Sequence, residues 1–460
     1  MEATPTKKEI RMLYDAQRRD ISIAVGGDAM ITRKMNPHKE DRFLQLVNLI
    51  RATDCAIVNL EMLFHDYEYS WEYSGGTPTR SDPRNLQQLK WMGIDAVTTA
   101  NNHAYDFSEG GFLTTLEHCR EFDLPQAGGG KNLDEARAPT YVDSPRGRVA
   151  LLSASTSYSE QSRAGLGRPD FIGKPGINAL RYSVTHTVER EIFDALHKAN
   201  QELGYTAMQE SGRQFGFSGV SSAPDDNTEV QFLGGKFLLG EEYSRRTFVD
   251  QEDLDGIGKW IRGAKKQADW VVYGAHSHES GSTGERHGGS LTAPPDHLVE
   301  FARWTIDQGC DLFVGHGPHF LRGIEIYNGK PIFYSLGNFI FQNETVPWAP
   351  DEGYRRFNLG YDQTPGDYLV ARSDNDRRGF PSDPVFWRSV VAVNNYEEGA
   401  LREVRLYPID MGYGLPIPQR GRPILAHPDI ANEVLEWLQK LSEPFGTKIS
   451  IQDGIGVISL

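Results

Sequence analysis

The sequence contains little cysteine. Cys55, Cys119 and Cys310 are the only three among 460 residues, and they lie far apart in mostly apolar or helical surroundings. This number and spacing exclude a small secreted scaffold held by disulfide bonds and favour buried thiols in a reducing compartment. A cysteine nucleophile or a disulfide fits the pattern less well. We therefore expect a cytoplasmic protein.

Long apolar segments and positive charge are also scarce. No stretch approaches the roughly eighteen apolar residues of a membrane-spanning helix. Residues 1–20 mix both charge signs without an apolar core, so we interpret them as an N-terminal extension and as neither a signal peptide nor an anchor. The 63 acidic residues outnumber the 48 basic ones, and the net charge of −15 opposes binding to nucleic acid or anionic membranes.

What remains is a soluble globular protein, with 38% apolar and 24% charged residues and no low-complexity tract. We expect its partner to be a small-molecule or short peptide-like substrate, with no nucleic acid and no membrane. The oligomeric state stays open.

Apolar β-type runs alternate with helical periodicity in the first third of the chain. The pattern predicts strands at Ile21–Val25, Cys55–Leu60 and Asp95–Ala100, with helices His38–Ala52 and Arg84–Met92 between them. This order predicts a layered α/β domain with a partly parallel sheet. A further helix is expected from Ser108, with that serine as its N-cap.

Two long segments interrupt the α/β pattern. We expect irregular insertions at about 156–267 and 342–384 within a single domain spanning 21–460, and we interpret the first as a lid or binding region. Between them the pattern resumes at Trp270–Gly274, and Asn328-Gly329 predicts a hairpin. His287 and His297 lack a comparable context and are interpreted as surface or capping residues.

Metal-ligand side chains recur just after apolar strand-like runs. Six segments share this feature: Val25–Asp28, Ile57–Glu61, Thr99–His103, Val272–His276, Phe313–His319 and Tyr334–Phe339. The carboxyl ends of parallel strands meet at one edge of a sheet, so these side chains can converge. Carboxylate, amide and imidazole donors together suit a two-metal hydrolytic centre that holds Mn, Zn or Fe.

Each residue also has a simpler interpretation. Asp28 can cap a turn, Glu61 can form an ordinary ion pair, and Asn102 beside Asn101 can cap a helix. A single buried histidine is more often a core residue than a ligand. Five of the 13 histidines nevertheless fall in these short segments or within two residues of one: His103, His276, His278, His316 and His319. His103, with Asp106 three residues later, suits general-acid catalysis.

The ordered set of motifs resembles the CapA-type poly-γ-glutamate capsule synthesis family (PGA_cap), which is similar to calcineurin-like metallophosphatases. The resemblance runs from Ile21 to Gln342. Its motifs are Gly26-Gly27-Asp28, Asn59-Leu60-Glu61, Asn101-Asn102-His103 with Asp106 and Gly110, the His276 segment, Gly315-His316-Gly317-Pro318-His319, and Tyr334-Ser335-Leu336-Gly337-Asn338-Phe339.

The resemblance implies a four-layer αββα sandwich of metallophosphatase type with two divalent ions. Asp28 and His319 would hold one ion, and Asn102, His276 and His316 the other. Glu61 would bridge the two ions. His103, oriented by Asp106, would be the acid beside the leaving group.

The implied function is a soluble metal-dependent hydrolase that cleaves an amide or (phospho)ester bond by a metal-bound hydroxide. The alternative is a non-catalytic or accessory component of poly-γ-glutamate synthesis or export. The family is typically membrane-anchored, and this chain shows no anchor.

Substrate contacts are expected from residues around these motifs. The family usually shows His-Trp-Gly where this chain has His276-Ser277-His278, so His278 is a further candidate ligand or wall residue. The remaining candidates for substrate binding are Glu279, Arg80, Arg181 and Asn338. The two arginines suit a carboxylate or phosphate, with a solvated surface charge as the alternative for each.

Overall fold

The computed structural model describes residues 20–72, 76–216, 227–281 and 292–460. The expected N-terminal extension lies outside the described residues except for Asp20, and His287 also lies outside them. Within the described ranges, no helix is both long and apolar enough to cross a membrane.

Helices and strands alternate along the chain. The α-helices are α1 Asp41–Arg51, α2 Leu86–Met92, α3 Ser108–Glu121, α4 Leu133–Arg137, α5 Arg190–Glu202, α6 Tyr205–Phe215, α7 Gln251–Ala264, α8 Asp296–Gln308, α9 Asp351–Arg356, α10 Pro365–Ser373 and α11 Pro428–Ser442. The strands are β1 Ile21–Met30, β2 Cys55–Leu60, β3 Leu63–Phe64, β4 Arg80–Ser81, β5 Ala96–Thr98, β6 Gln126–Ala127, β7 Gly129–Gly130, β8 Thr140–Ser144, β9 Gly147–Ser155, β10 Gly176–Ile177, β11 Tyr182–Val188, β12 Glu229–Phe232, β13 Gly235–Leu239, β14 Ser244–Val249, β15 Trp270–His276, β16 Leu312–His316, β17 Ile324–Tyr327, β18 Lys330–Phe333, β19 Asn338–Phe341, β20 Arg388–Glu397, β21 Ala400–Asp410, β22 Ile424–Leu425, β23 Ser450–Gln452 and β24 Ile455–Ser459.

Two mixed sheets form the centre of the molecule. The first has ten strands along the order β23-β24-β21-β20-β1-β2-β5-β6, with β19 paired to β1 and β22 to β21. The second has six strands in the order β17-β18-β16-β15-β9-β8. The neighbours β1, β2 and β5 are parallel, as are β9, β15 and β16. Their carboxyl ends therefore share one edge of each sheet.

Strand alternation builds the apolar core between the sheets. Ile23 and Val25 of β1 pack in the same buried cluster as Val272 of β15 and Val314 of β16. Successive side chains of a strand point to opposite faces, so Ala24 turns outward instead. Each large side chain buried in this way contributes about 1.5–3 kcal/mol to the hydrophobic stabilisation.

Helices cover the outer faces of both sheets. On the first sheet, α1 and α2 bury Phe43, Leu46 and Leu89 against the outward side chains of β1 and β2. On the second, α7 and α8 bury Ile257 and Phe301 against β15. This arrangement confirms the predicted four-layer αββα sandwich.

The first insertion is more regular than expected. Its strands form a separate four-stranded sheet in the order β12-β13-β11-β14, accompanied by α5 and α6. The sequence indicated only helices and polar loops here because most positions of β11 and β13 are half-buried, which gives no clear alternation.

Two local expectations were wrong. Ser108 is the first helical residue, and Phe107 occupies the cap position without a side-chain cap. The ring of Phe107 packs edge-on against His65 and Tyr67, which fixes the turn before α3. His297 is fully buried on α8, where its ring stacks on Tyr182 of β11 with the centroids 4.2 Å apart. The Asn328-Gly329 hairpin between β17 and β18 was correct.

Candidate metal centre

The Gly26-Gly27 pair directs Asp28 into the space between the sheets. The pairing register of β1 with β2 shifts between Val25 and Asp28, so the glycines form a bulge. A Cβ on Gly27 would lie 1.7 Å from the Gly337 carbonyl oxygen, which only glycine permits. The Asp28 amide donates to that same oxygen at 2.9 Å. The bulge thereby joins β1 to the segment before β19 and sets the direction of the carboxylate.

Asp28 and Glu61 are both fully buried. Asp28 accepts hydrogen bonds from the Asn59 amide at 2.8 Å and from the Gly317 N–H at 3.1 Å. Neither oxygen of Glu61 has a hydrogen-bond partner among the described residues. Burial raises the pKa of Asp28 to about 7, and burial together with the charge of Asp28 raises the pKa of Glu61 well above its usual value. Two neighbouring buried carboxylates are costly unless a cation lies between them.

Three histidines converge on these carboxylates from the second sheet. His276 ends β15 and His316 ends β16, and the two residues are register partners with Nδ1 atoms 3.0 Å apart. The Asp28 Oδ1 atom lies 3.8 Å from His276 Nδ1 and 3.7 Å from His316 Nδ1. His319 Nδ1 lies 3.6 Å from Asp28 and 3.8 Å from Glu61. Burial lowers the pKa of all three imidazoles, to about 3 for His316 and His319, so they are neutral and able to bind a metal.

The ligand atoms fall into two groups. Asp28, His276 and His316 form one group, and Glu61, His278 and His319 form the other, with the ligand atoms of each group within 4.8 Å of one another. The resemblance implied a different grouping, with His319 beside Asp28 and with Glu61 as the bridge. His319 is near both carboxylates, and His276 Nε2 lies 3.6 Å from Glu61, so these distances are compatible with either grouping.

Asn102 supplies one more oxygen. Its Oδ1 atom is buried and lacks a hydrogen-bond partner in the described part of the chain. Unsatisfied buried acceptors are rare and call for a specific partner. A divalent cation is a partner that fits the oxygens of Glu61 and Asn102 together with neutral imidazoles. The residues therefore fit a metal centre.

His103 and Asp106 form a separate pair beside this centre. His103 Nδ1 lies 2.6 Å from Asp106 Oδ2, and both residues are buried. The same carboxylate oxygen accepts from the Thr79 N–H at 2.6 Å, which fixes its position. Because Nδ1 is bound by the Asp106 carboxylate, Nε2 is the ring nitrogen of His103 that remains to contact a molecule in the cavity that this residue lines.

Several positioning residues escaped the sequence analysis. Asn59 donates to Asp28 and accepts from the Thr98 hydroxyl at 2.9 Å, and Thr98 also lies 3.3 Å from His316 Nε2. Asn338 was expected to bind substrate, but its Oδ1 lies 2.9 Å from His319 Nδ1. Its amide also donates to the backbone of His319 and Phe386, so its contacts orient a candidate ligand.

Three other expected substrate contacts are engaged elsewhere. Arg80 pairs with Asp66 at 3.1 Å and stacks over Tyr67. Arg181 pairs with Asp250, Glu252 and Asp253. Glu279 accepts from Thr156, Ser157 and Ser277 at 2.6–3.0 Å. None of the three lines the cavity above the candidate metal centre. Arg80, Arg181 and Glu279 instead contact neighbouring residues of the protein.

A cavity of about 390 Å³ opens over the centre. Asn102, His103, His278 and His319 line it together with Thr77 and Thr79. The second insertion closes one side with Asn343, Arg372 and Phe380, three residues that the sequence analysis did not single out. Candidate metal ligands, the candidate acid and residues of the second insertion therefore line the same cavity.

A four-layer sandwich with carboxylate, amide and imidazole groups at its strand ends is the architecture of metallophosphatase-like proteins. Residues 22–343 match the family described as bacterial capsule synthesis protein PGA_cap, and the chain belongs to that family.

Curated relatives extend this match. An uncharacterized protein, y4sH of Sinorhizobium fredii, is 35% identical over 451 residues, which covers 94% of this chain and 92% of the relative. The PGA biosynthesis protein CapA of Bacillus subtilis is 46% identical over 329 residues, covering 70% of this chain and 63% of that protein. A probable polyglutamine synthesis accessory protein of Mycobacterium tuberculosis is 24% identical over 297 residues, 64% of this chain and 57% of that protein.

Proposed function

We propose that the protein is a metal-dependent hydrolase that cleaves an amide or (phospho)ester bond in a small or short peptide-like substrate. The observation that carries the proposal is the pairing of two features at one site. Buried oxygens of Glu61 and Asn102 lack partners among the described residues next to neutral histidines, and the His103–Asp106 pair lies beside them. The first feature suits metal binding, and the second suits proton transfer.

The proposed metal set is Asp28, Glu61, Asn102, His276, His316 and His319, with His278 as a further candidate. Mixed oxygen and nitrogen donors suit two ions of Mn, Zn or Fe. When bound, such ions polarise the scissile carbonyl or phosphoryl group and activate water for attack.

The chain's own residues would then complete the reaction. The His103 Nε2 atom donates a proton to the leaving oxygen or nitrogen as its bond to carbon or phosphorus breaks. Asp106 holds the opposite nitrogen at 2.6 Å and stabilises the protonated imidazole before that transfer. Phe320 and Phe380 form apolar parts of the cavity wall and would limit the access of bulk water to the leaving group.

A second candidate function is an accessory role in poly-γ-glutamate synthesis or export, in which the centre binds metal and polymer without turnover. The names of two relatives, a PGA biosynthesis protein and a probable polyglutamine synthesis accessory protein, favour it. For either function we propose a cytoplasmic location without nucleic acid or membrane partners, in line with the net charge of −15.

Metal depletion and reloading test the hydrolase. The purified protein would be stripped with a chelator, reloaded separately with Mn, Zn or Fe, and assayed on phosphoesters, carboxylic esters, γ-glutamyl amides and α-peptides. We expect turnover of one bond class that disappears on chelation and returns with one of the metals. Metal binding without turnover on the whole panel would contradict the hydrolase and favour the accessory role.

A further inference from the structure

Arg372 is the one lysine or arginine among the described residues that line the cavity over the metal centre. It lies near the end of α10, in the second insertion, and its side chain is half-buried. The cavity wall also includes His278, His319 and Phe380. Arg372 therefore lines the same cavity as the candidate ligands His278 and His319.

The guanidinium of Arg372 has no ion pair or hydrogen bond with any residue in the described ranges. Two other arginines in this part of the molecule are paired. Arg420 binds Glu344 through two contacts of 2.6 and 2.7 Å and also binds Asp376. Arg377, five residues after Arg372, pairs with Asp374 at 2.8 Å. Arg420 engages both oxygens of Glu344, and within the described residues no ion pair joins this carboxylate to Arg372, although the positive charge of Arg372 acts on it at longer range.

A half-buried guanidinium without a protein partner is free to bind an anion that enters the cavity. Asp28 and Glu61 supply one negative charge each, so two divalent ions would leave the floor of the cavity positive. These ions would repel the guanidinium of Arg372 on the cavity wall unless an anionic ligand lay between them. Arginine also presents a planar pair of donors that matches the two oxygens of a carboxylate or a phosphate.

We propose that Arg372 determines substrate specificity by binding an oxyanion of the substrate that is separate from the scissile bond. The oxyanion is a carboxylate or a phosphate, and the scissile group lies at the metal centre while this second group lies at α10. The proposal deepens the proposed function, on whose cavity it rests, because it restricts the substrate to molecules with an anionic group at a fixed distance from the cleaved bond.

Binding of simple dianions tests the proposal without requiring turnover. Metal-loaded protein would be titrated calorimetrically with the dicarboxylates succinate, glutarate, adipate and pimelate, with their monomethyl esters, and with 3-phosphonopropionate. We expect at least one dianion of suitable length to bind about 10- to 100-fold more tightly than its monoester, the range for a charged hydrogen-bonded contact. The phosphonate compared with its dicarboxylate analogue distinguishes the two oxyanions.

Three variants assign that preference to one residue. Arg372→Gln should abolish the difference between diacid and monoester, Arg372→Lys should retain part of it, and Arg377→Gln, the matched exposed control, should leave it unchanged. Metal content should stay at the wild-type level in all three. If a substrate is found, Arg372→Gln should raise KM for its anionic form with kcat little changed.

Two results would overturn the proposal. One is a wild-type protein that binds diacids and monoesters equally at every length. The other is a preference for diacids that persists in Arg372→Gln. Failure of the proposed function is a different result, namely metal binding without turnover on the substrate panel, and it leaves the binding comparison intact.

Discussion

The side chain of Glu61 lies in an unfavourable environment for a charged group. Its carboxylate is fully buried, both oxygens lack hydrogen-bond partners in the described structure, and Asp28 lies close by. The surrounding histidines are neutral because burial lowers their pKa, so they do not compensate the negative charge. A cation among these residues would satisfy the carboxylates and the imidazoles together.

Glu61→Gln keeps the shape of this residue and removes its charge. Metal affinity should fall by about 100-fold or more, since loss of a residue that merely orients a ligand already costs 10–100-fold. Activity should fall with metal content, whereas the melting temperature of the metal-free protein should be unchanged or higher because a buried charge is lost. Metal analysis and thermal unfolding measure the two effects. Glu117→Gln, an exposed residue on α3, is the control, and normal metal content in Glu61→Gln would assign Glu61 to an ordinary ion pair.

His103→Ala separates proton transfer from metal binding. His103 touches Asp106 and lies outside both ligand groups, so the variant should fold, retain its metal and lose about 10²–10⁴-fold in kcat. The loss should shrink for substrates whose leaving group needs no proton. Steady-state kinetics with metal analysis check this expectation, with exposed His427→Ala as the control. Loss of metal in His103→Ala would indicate that His103 is a metal ligand. Full activity of the variant on every substrate would indicate that another residue is the general acid, and His278 is the next candidate.

Single elements bring parts of the chain together that are distant in sequence. The helix α10 carries Arg372 from the second insertion to the metal cavity. The sheet of the first insertion is attached to the sandwich where Tyr182 of β11 stacks on His297 of α8. His297 also bonds Thr247 of β14, at 3.1 Å from its backbone N–H and 3.0 Å from its ring. This buried imidazole therefore links an insertion to a helix of the main fold.

The stability of this attachment should depend on pH. Burial lowers the pKa of His297 to about 4, with Glu279 opposing that shift and Arg245 and Arg322 adding to it. The unfolded chain binds a proton near pH 6.5 and the folded chain only near pH 4, so unfolding takes up a proton between these values and stability falls as the pH drops through this window. The contribution is at most about 3 kcal/mol at pH 4.

His297→Phe should reduce this pH dependence, because it keeps an aromatic ring on Tyr182 and removes the group that binds the proton. Urea unfolding of the metal-free protein at pH 7 and pH 4.5 measures the difference. We expect the gap in free energy of unfolding between the two pH values to be smaller in His297→Phe than in the wild type, and unchanged in the exposed control His427→Phe. Equal gaps in all three proteins would show that His297 titrates normally.

At the scale of the whole molecule, the candidate metal centre lies between the two sheets. Asp28 lies in β1 of the ten-stranded sheet, and Glu61 and Asn102 follow strands of the same sheet, whereas His276 and His316 end strands of the six-stranded sheet. Ions bound between them would connect both halves of the sandwich. We therefore expect metal binding and global stability to be coupled, because the unfolded chain does not assemble this set of ligands.

Removal of metal should destabilise the entire fold. At a free metal concentration about 100 times the dissociation constant, binding adds about 2.7 kcal/mol of stability. Chelation should lower the melting temperature, and reloading should restore it with about two ions per chain. Calorimetric unfolding combined with metal analysis tests this. A single ion or none in a fully loaded, active preparation would exclude a dinuclear centre, and a melting temperature insensitive to chelation would exclude the link between the sheets.

The sequence by itself was sufficient to predict the layered α/β order and the residues at the strand ends that form the candidate metal centre. The run Cys55–Leu60 is buried throughout, and its strand has the predicted bounds. The predicted strands Ile21–Val25 and Trp270–Gly274 differ from β1 and β15 only at their C-terminal ends. Asp28, Glu61, His276 and His316 were predictable as neighbours because each follows or ends a strand, and parallel strands place their carboxyl ends at one edge. These features depend on local periodicity, which is visible in a single sequence.

Only the tertiary structure determined which residues form the wall of the cavity. It also determined which polar side chains are buried and which residues they pair with. The position of Arg372 over the centre depends on how residues 342–384 fold back across the sandwich, and no local pattern specifies that path. The burial of His297 and the engagement of Arg80 and Arg181 likewise depend on partners that neither periodicity nor strand order identifies. A side chain's local sequence fixes its element and its face, but its burial and its ionic partner are set by packing with distant segments.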